Sequence, residues 1–183
     1  MKILIFEGIA TGGKSTIITK LKNALTGKQV IVVGEPETHV PIMGKTSEKH
    51  IDFFRKLITK KISENPDILI FDRLYLTQAY RAKCELSEYS ELENELKKYN
   101  SITIFLKVDE DTVEGRILKS SEHRGSEYFE SRGATSLERA QYYIEQQKSQ
   151  VKRLSSSSIP YKIIDTTDHD YDRATKEVLE AIL

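Results

Sequence analysis

The chain has 183 residues, enough for one domain with a core of its own, and its 28 basic and 28 acidic side chains cancel. A net charge of zero gives no electrostatic reason to expect nucleic-acid binding. No apolar run approaches the roughly 18 residues of a membrane helix, no secretory leader is visible, and the single cysteine, Cys84, excludes an internal disulfide. A soluble protein of the cytoplasm is the expectation.

Five runs read as strands: 2–6 (KILIF), 29–33 (QVIVV), 67–71 (DILIF), 101–107 (SITIFLK) and 160–164 (PYKII). They are short, rich in β-branched or aromatic residues and almost continuously apolar, as strands covered on both faces are. Helical periodicities lie between them. Ile17, Leu21 and Leu25 repeat every four residues; Leu137, Ala140, Ile144, Val151 and Leu154 mark one face of a long helix; Ala174, Val178 and Ile182 form the last stripe. Thr135 and Glu138 have capping-box spacing at the start of the long helix. Strands alternating with helices predict a parallel sheet in a three-layer α/β fold, because parallel neighbours need crossover helices. Residues 119–134, polar and with two glycines, read as a loop or lid between a short helix near 110–118 and the long helix. Ser155–Ser158 reads as a short solvated linker.

The chemistry starts after the first strand. Gly8, Gly13, Lys14 and Ser15 fit G-x-x-x-x-G-K-[ST], placed between a buried strand and an amphipathic helix as a phosphate loop requires. The stretch Gly8, Ile9, Ala10, Thr11, Gly12, Gly13, Lys14, Ser15, Thr16 would cradle ATP. Its backbone amides form an anion nest at a helix N-terminus. Lys14 would reach the terminal phosphates, and the Ser15 hydroxyl would ligate Mg²⁺. The third strand ends in Asp72-Arg73. A carboxylate at the C-terminal end of a parallel strand faces the ligand crevice, so Asp72 suits a place near Mg²⁺, through water or directly, and Arg73 can hold a second phosphate. After the second strand, Pro36 stiffens the turn that presents Glu35, a candidate base or organiser of metal-bound water. Arg116, Lys119, Arg124 and Arg132 supply the positive charge that phosphoryl transfer needs and that the loop, with uncharged Ala10, lacks. The histidines show no metal-ligand spacing. His39 and His50 could line an acceptor pocket, a point that spacing does not decide.

With these residues in place the chain resembles the thymidylate kinase family of P-loop nucleotide kinases: F-E-G-x-x-x-G-K-S-T at 6–16, Glu35-Pro36, Asp72-Arg73 with L-T-Q-A-Y at 76–80, Y-F-E-S-R and L-E-R-A-Q-Y-Y within 128–143, and Y-K-I-I-D-T-T at 161–167. The resemblance implies a P-loop NTPase fold with a five-stranded parallel sheet in the order 2-3-1-4-5, helices on both faces and a short lid. It implies ATP-dependent phosphorylation of a deoxynucleoside monophosphate, dTMP, with Mg²⁺, by a homodimer that binds neither nucleic acid nor membrane. It assigns catalysis to Lys14, Asp72, Arg73, Arg124 and Glu35, and the acceptor to Glu35, Phe53, Phe54, Arg55, Arg73, Thr77 and Tyr80. Ala10, Gly34 and Leu74 depart from the family pattern, all on the acceptor side. A deoxynucleoside kinase using Glu35 as base is the alternative, and a nucleotide-binding regulatory module the third reading.

Overall fold

The computed structural model describes residues 1–125 and 127–182, with the side chains of residues 123, 124, 127 and 128 left aside. Five strands, β1 (Lys2–Gly8), β2 (Val30–Val33), β3 (Ile68–Asp72), β4 (Ile102–Lys107) and β5 (Tyr161–Asp165), form one sheet in the order β2-β3-β1-β4-β5. Every pairing is parallel; Leu4 stands opposite Ile70 on one side and Ile102 on the other. Order and direction are those expected.

The two-residue period of β1 divides the core. Ile3 and Ile5 point to a layer built with α3 (Ser47–Ile62), α4 (Tyr75–Arg81) and α5 (Ser90–Leu96). Leu4 and Phe6 point the other way, onto Ile17 and Leu21 of α1 (Lys14–Ala24) and Ala174, Val178 and Ile182 of α9 (Tyr171–Ile182). Strands buried on both faces must be apolar at every position, which is why the central runs lack alternation. The edge strand β5 departs from this reading. Only Ile164 is buried, while Tyr161 and Ile163, alternating onto the other face, are exposed.

A third cluster joins α6 (Glu110–Arg124), α7 (Glu127–Glu130) and α8 (Ser136–Leu154) through Ile9, Val113, Ile117, Phe129 and Tyr143. Here two expectations are corrected. The helix expected to end near 118 continues to Arg124, so it takes in residues 119–124 of the expected lid. The stripe on α8 is rotated: Leu137 is 66% exposed, and the buried face carries Ala140, Tyr143, Gln146, Gln147, Gln150 and Leu154. Two of the buried glutamines find partners, Gln147 on backbone and Gln150 on the Thr77 hydroxyl, while Gln146 Nε2 and Gln150 Oε1 are buried without one. Gln147 both donates to and accepts from the Val108 backbone, at 2.8 and 2.9 Å. The capping box at Thr135 and Glu138 is present. The serine stretch does join α8 to β5, yet it is more than a solvated linker, since Ser157 and Ser158 donate to the buried carboxylate of Glu93. Among the described residues no helix is long and apolar enough to cross a membrane.

Candidate functional site

At the C-terminal ends of β1 and β3 the chain turns to opposite sides of the sheet, the place where open α/β sheets leave a crevice. The loop after β1 fills it. Gly8 has φ 129°, and a Cβ there would lie 2.5 Å from the Leu106 carbonyl oxygen of β4. Gly13, at φ 87°, caps α1, and the ring of Tyr171 lies so close that a Cβ would meet it at 2.3 Å. Only glycine satisfies both the backbone angle and the close approach at these two points. Between them Gly12 N–H donates to the Ile9 carbonyl at 3.2 Å. The Lys14 ammonium folds back onto the same loop, donating to the carbonyls of Gly8 and Ile9 at 3.1 and 2.8 Å. Burial, reinforced by Arg73, lowers its pKa to about 7.

The outer side of the loop is held by one arginine. Arg116 of α6 donates to the carbonyls of Thr11 (2.8 Å), Thr166 and Thr167 (3.1 Å), and the Thr166 hydroxyl donates to the Gly12 carbonyl at 3.0 Å. A cavity of about 440 Å³ opens here, lined by Ala10, Thr11, Gly13, Lys14, Ser15 and Thr16 of the loop, by Glu35, Asp72 and Arg73, and by Arg116, Lys119, His169 and Tyr171. The expected donor-side residues are therefore brought together. Gly8, Ile9 and Gly12 form the base of the loop.

Asp72 ends β3. Its Oδ2 accepts from Ser15 Oγ at 3.5 Å, a long contact, and its Oδ1 is buried with no hydrogen-bond partner. A hydroxyl and a carboxylate oxygen with spare capacity at the edge of a phosphate nest are the donor set of a Mg²⁺ held mainly by substrate phosphates and water. Among the described residues no group of three His, Cys, Asp or Glu gathers to hold a metal by protein ligands alone.

Arg73 sits at φ 71°, a left-handed conformation costly for a non-glycine residue. A carboxylate that the sequence reading overlooked secures it. Glu7, wholly buried on β1, accepts from the backbone N–H of Leu74 (2.9 Å) and Leu76 (3.1 Å) and from the Thr77 hydroxyl. Thr77 in turn accepts from Gln150 at 2.9 Å and from Arg73 at 3.4 Å. Burial pushes the Glu7 carboxyl up, against those hydrogen bonds and Arg73. The only sequence sign of this role is a charged residue inside an apolar strand.

Glu35 begins α2 (Glu35–Thr38) behind Gly34 and Pro36. Its two oxygens are shared between Arg73 (3.3 Å) and Arg81 (2.9 Å). Burial alone would raise its pKa, but the two guanidiniums outweigh it and hold the carboxyl at about 2. Arg81 also faces a second cavity, of about 250 Å³, with His39, His50, Lys45, Gln78, Arg132 and Tyr142. Tyr80 packs edge-on against Tyr142 at 5.8 Å, its hydroxyl pushed up to about 12 by burial. Thr77 lies below, bonded to Glu7. The remaining acceptor candidates line neither cavity: Phe54 is wholly buried in the α3 core, Phe53 packs on it, and Arg55 pairs with Glu91 and Glu95. Arg124 closes α6, and its side chain lies outside the described residues.

Sheet order, phosphate loop and the Asp72-Arg73 turn define the fold of the P-loop nucleotide kinases. No family model and no curated protein matches the chain. Solved structures do. The YorR protein of Bacillus subtilis, in complex with phosphorylated GDP, is similar over 98% of this chain and 95% of its own, at a TM-score of 0.70 and 19% identity. The deoxyadenosine kinase of M. mycoides, with products dCMP and dCDP bound, is similar over 100% and 98% at 0.58 and 20%. The thymidylate kinase of Candida albicans is similar over 98% and 90% at 0.56 and 16%. At such identities the likeness establishes the fold.

Proposed function

We propose that this protein transfers the γ-phosphoryl group of ATP to the 5′-phosphate of a deoxynucleoside monophosphate, dTMP being the first acceptor to test. The observation that carries this reading is the Glu35 clamp. Glu35 and Arg73 line the first cavity, and Arg81, on the wall of the second, reaches the same carboxylate, which the two guanidiniums keep ionised. That arrangement serves phosphate binding better than proton abstraction, since a base with pKa about 2 lies far from the operating pH where general bases work best. Both a thymidylate kinase and a deoxyadenosine kinase share the fold, so the acceptor is argued from the site.

In this account the amides of residues 8–16 bind the donor phosphates, and Lys14 leaves the Gly8 and Ile9 carbonyls for phosphate oxygens. Ser15 and Asp72 would hold Mg²⁺, which when bound would neutralise the charge that develops on the transferred group. Arg73 holds the acceptor phosphate in line with the γ-phosphorus. An oxygen of that phosphate forms the new P–O bond as the bond to the β–γ bridging oxygen breaks, and ADP takes the bonding electrons. The acceptor oxygen is already ionised, so no proton has to be removed. Arg116 steadies the loop, and Arg124, in the proposed lid, closes over the transferring group. A homodimer in the cytoplasm, as the resemblance implies, completes the proposal.

One observation favours a second reading. Glu35 lines the first cavity and is ionised, so a deoxynucleoside kinase using it against a 5′-hydroxyl is the competitor. ADP release measured over deoxynucleoside monophosphates and their nucleosides, with Lys14→Ala as control, separates the two. Turnover confined to nucleosides overturns the proposal, and ATP binding with no acceptor-stimulated turnover points to a regulatory module.

A further inference from the structure

The second cavity carries a charge pattern that a neutral base does not call for. Among the described residues its wall holds Arg81, Arg132 and Lys45, and no Asp or Glu. Arg81 lines the second cavity and is tied to the first through Glu35. Its Nη2 donates to Glu35 on the first cavity's wall, while its Nη1 is buried with no hydrogen-bond partner. Among the described residues no hydrogen bond or ion pair engages the side chains of Lys45 and Arg132. Of the other polar groups here, Gln78, His39 and His50 are already engaged. Gln78 Nε2 donates to His39 Nδ1 at 3.3 Å, and His50 bonds the Tyr89 hydroxyl at 2.7 Å and the Ile42 carbonyl at 3.1 Å.

Cations converging on a recess without an acid repel one another, and the low dielectric of the wall strengthens that repulsion. An unpaired buried guanidinium nitrogen adds a desolvation cost. The histidines register this field. His39 is lowered by burial and then by Arg81, and His50 is lowered by burial against hydrogen bonds to the backbone of Ile42 and Lys45, with the Lys45 charge a smaller contribution in the same direction as burial. A pyrimidine or purine edge would fill hydrogen bonds but leave the charge standing, whereas an anion removes both penalties.

We infer that the second cavity binds an anionic group of the acceptor remote from the phosphate that reacts: a phosphate or carboxylate on the base or at the 3′ position of a deoxynucleoside monophosphate. The inference rests on the kinase reading of the first cavity and narrows its acceptor class. Arg81 couples the two ends, with one nitrogen on Glu35 and another free for the remote anion.

The test is calorimetric binding of dTMP, thymidine 3′,5′-bisphosphate and 5-carboxy-2′-deoxyuridine 5′-monophosphate to the intact protein, with ADP release measured in parallel. At least one of the two anionic compounds binds ten-fold or more tightly than dTMP. The bisphosphate arm identifies a sugar substituent and the carboxy arm a base substituent. That gain shrinks with added salt, and Arg132→Gln and Lys45→Gln each weaken the anionic compound more than dTMP. Binding also raises the pKa of His39, followed by NMR of its ring. Equal or weaker binding of both anionic compounds overturns the inference, as does a gain unchanged in both variants. Turnover of dTMP without any anionic preference overturns it while leaving the kinase reading intact. Tight anionic binding without turnover of any acceptor overturns the kinase reading and leaves the anion site.

Discussion

Glu35 and Arg81 meet at 2.9 Å on the boundary between the two cavities, and the same carboxylate reaches Arg73 at 3.3 Å. The three side chains come from α2, the turn after β3 and the end of α4. A change at Glu35 therefore acts on the acceptor side through two cations.

Glu35→Gln tests what that carboxylate does. As an organiser of Arg73 and Arg81, its loss raises KM for a monophosphate acceptor about ten-fold and lowers kcat less. As a base, its loss would cut kcat by about 10²–10⁴-fold. Its folded pKa, about 2, lies below the ordinary carboxylate value. The stability it contributes is therefore complete above that ordinary value and is lost as pH falls toward 2. No activity limb between pH 5 and 9 belongs to it.

Lys14 gives a proton signature. In the free protein it titrates near 7, and phosphate at its ammonium favours the charged form. ATP binding at pH 8 therefore takes up close to one proton, and at pH 6 almost none. Calorimetry in buffers of different ionisation enthalpy measures this. Lys14→Ala abolishes the uptake and lowers turnover on the order of 10²–10³-fold.

Glu7→Ala leaves the N–H groups of Leu74 and Leu76 and the Thr77 hydroxyl without their buried acceptor. Thermal or urea unfolding should show a loss of about 2–4 kcal/mol. In the folded fraction, KM for the acceptor rises while ATP affinity is kept, because Glu7 supports the Arg73 turn.

Gly8→Ala places a methyl 2.5 Å from a backbone oxygen of β4, at φ 129°. Strand backbone has little room to give, so a loss of about 2–4 kcal/mol and failure to bind ATP are expected. Gly44→Ala, at φ 72° with nothing within 4 Å, carries strain without a clash and should cost less.

The sheet and the residues that line the first cavity were legible because their signals are local: continuous apolar runs, a glycine-lysine loop, an acid closing a strand. The acceptor side was less so, because its parts meet only through the fold. Arg81 follows Gln78 by one helical turn, yet nothing local says that this face of α4 opens onto a cavity. Phe54 and Arg55 were expected at the acceptor from the family resemblance, but α3 turns Phe54 inward and gives Arg55 to Glu91 and Glu95. On α8 polarity misled in the other direction: Gln146, Gln147 and Gln150 are buried, and Leu137 is not. A glutamine held inside by the backbone, as Gln147 is by Val108, looks like a solvated one in a linear sequence.

The central claim is that the acceptor reacts through a phosphate. Initial rates of ADP formation with each deoxynucleoside monophosphate and its parent nucleoside, at equal concentrations with saturating MgATP, test it most directly. A monophosphate should exceed its nucleoside by about 10²-fold or more, since only the phosphate engages Arg73 by charge-assisted bonds, and Lys14→Ala should lower the activity on the order of 10²–10³-fold. Turnover of nucleosides with inert monophosphates would contradict it.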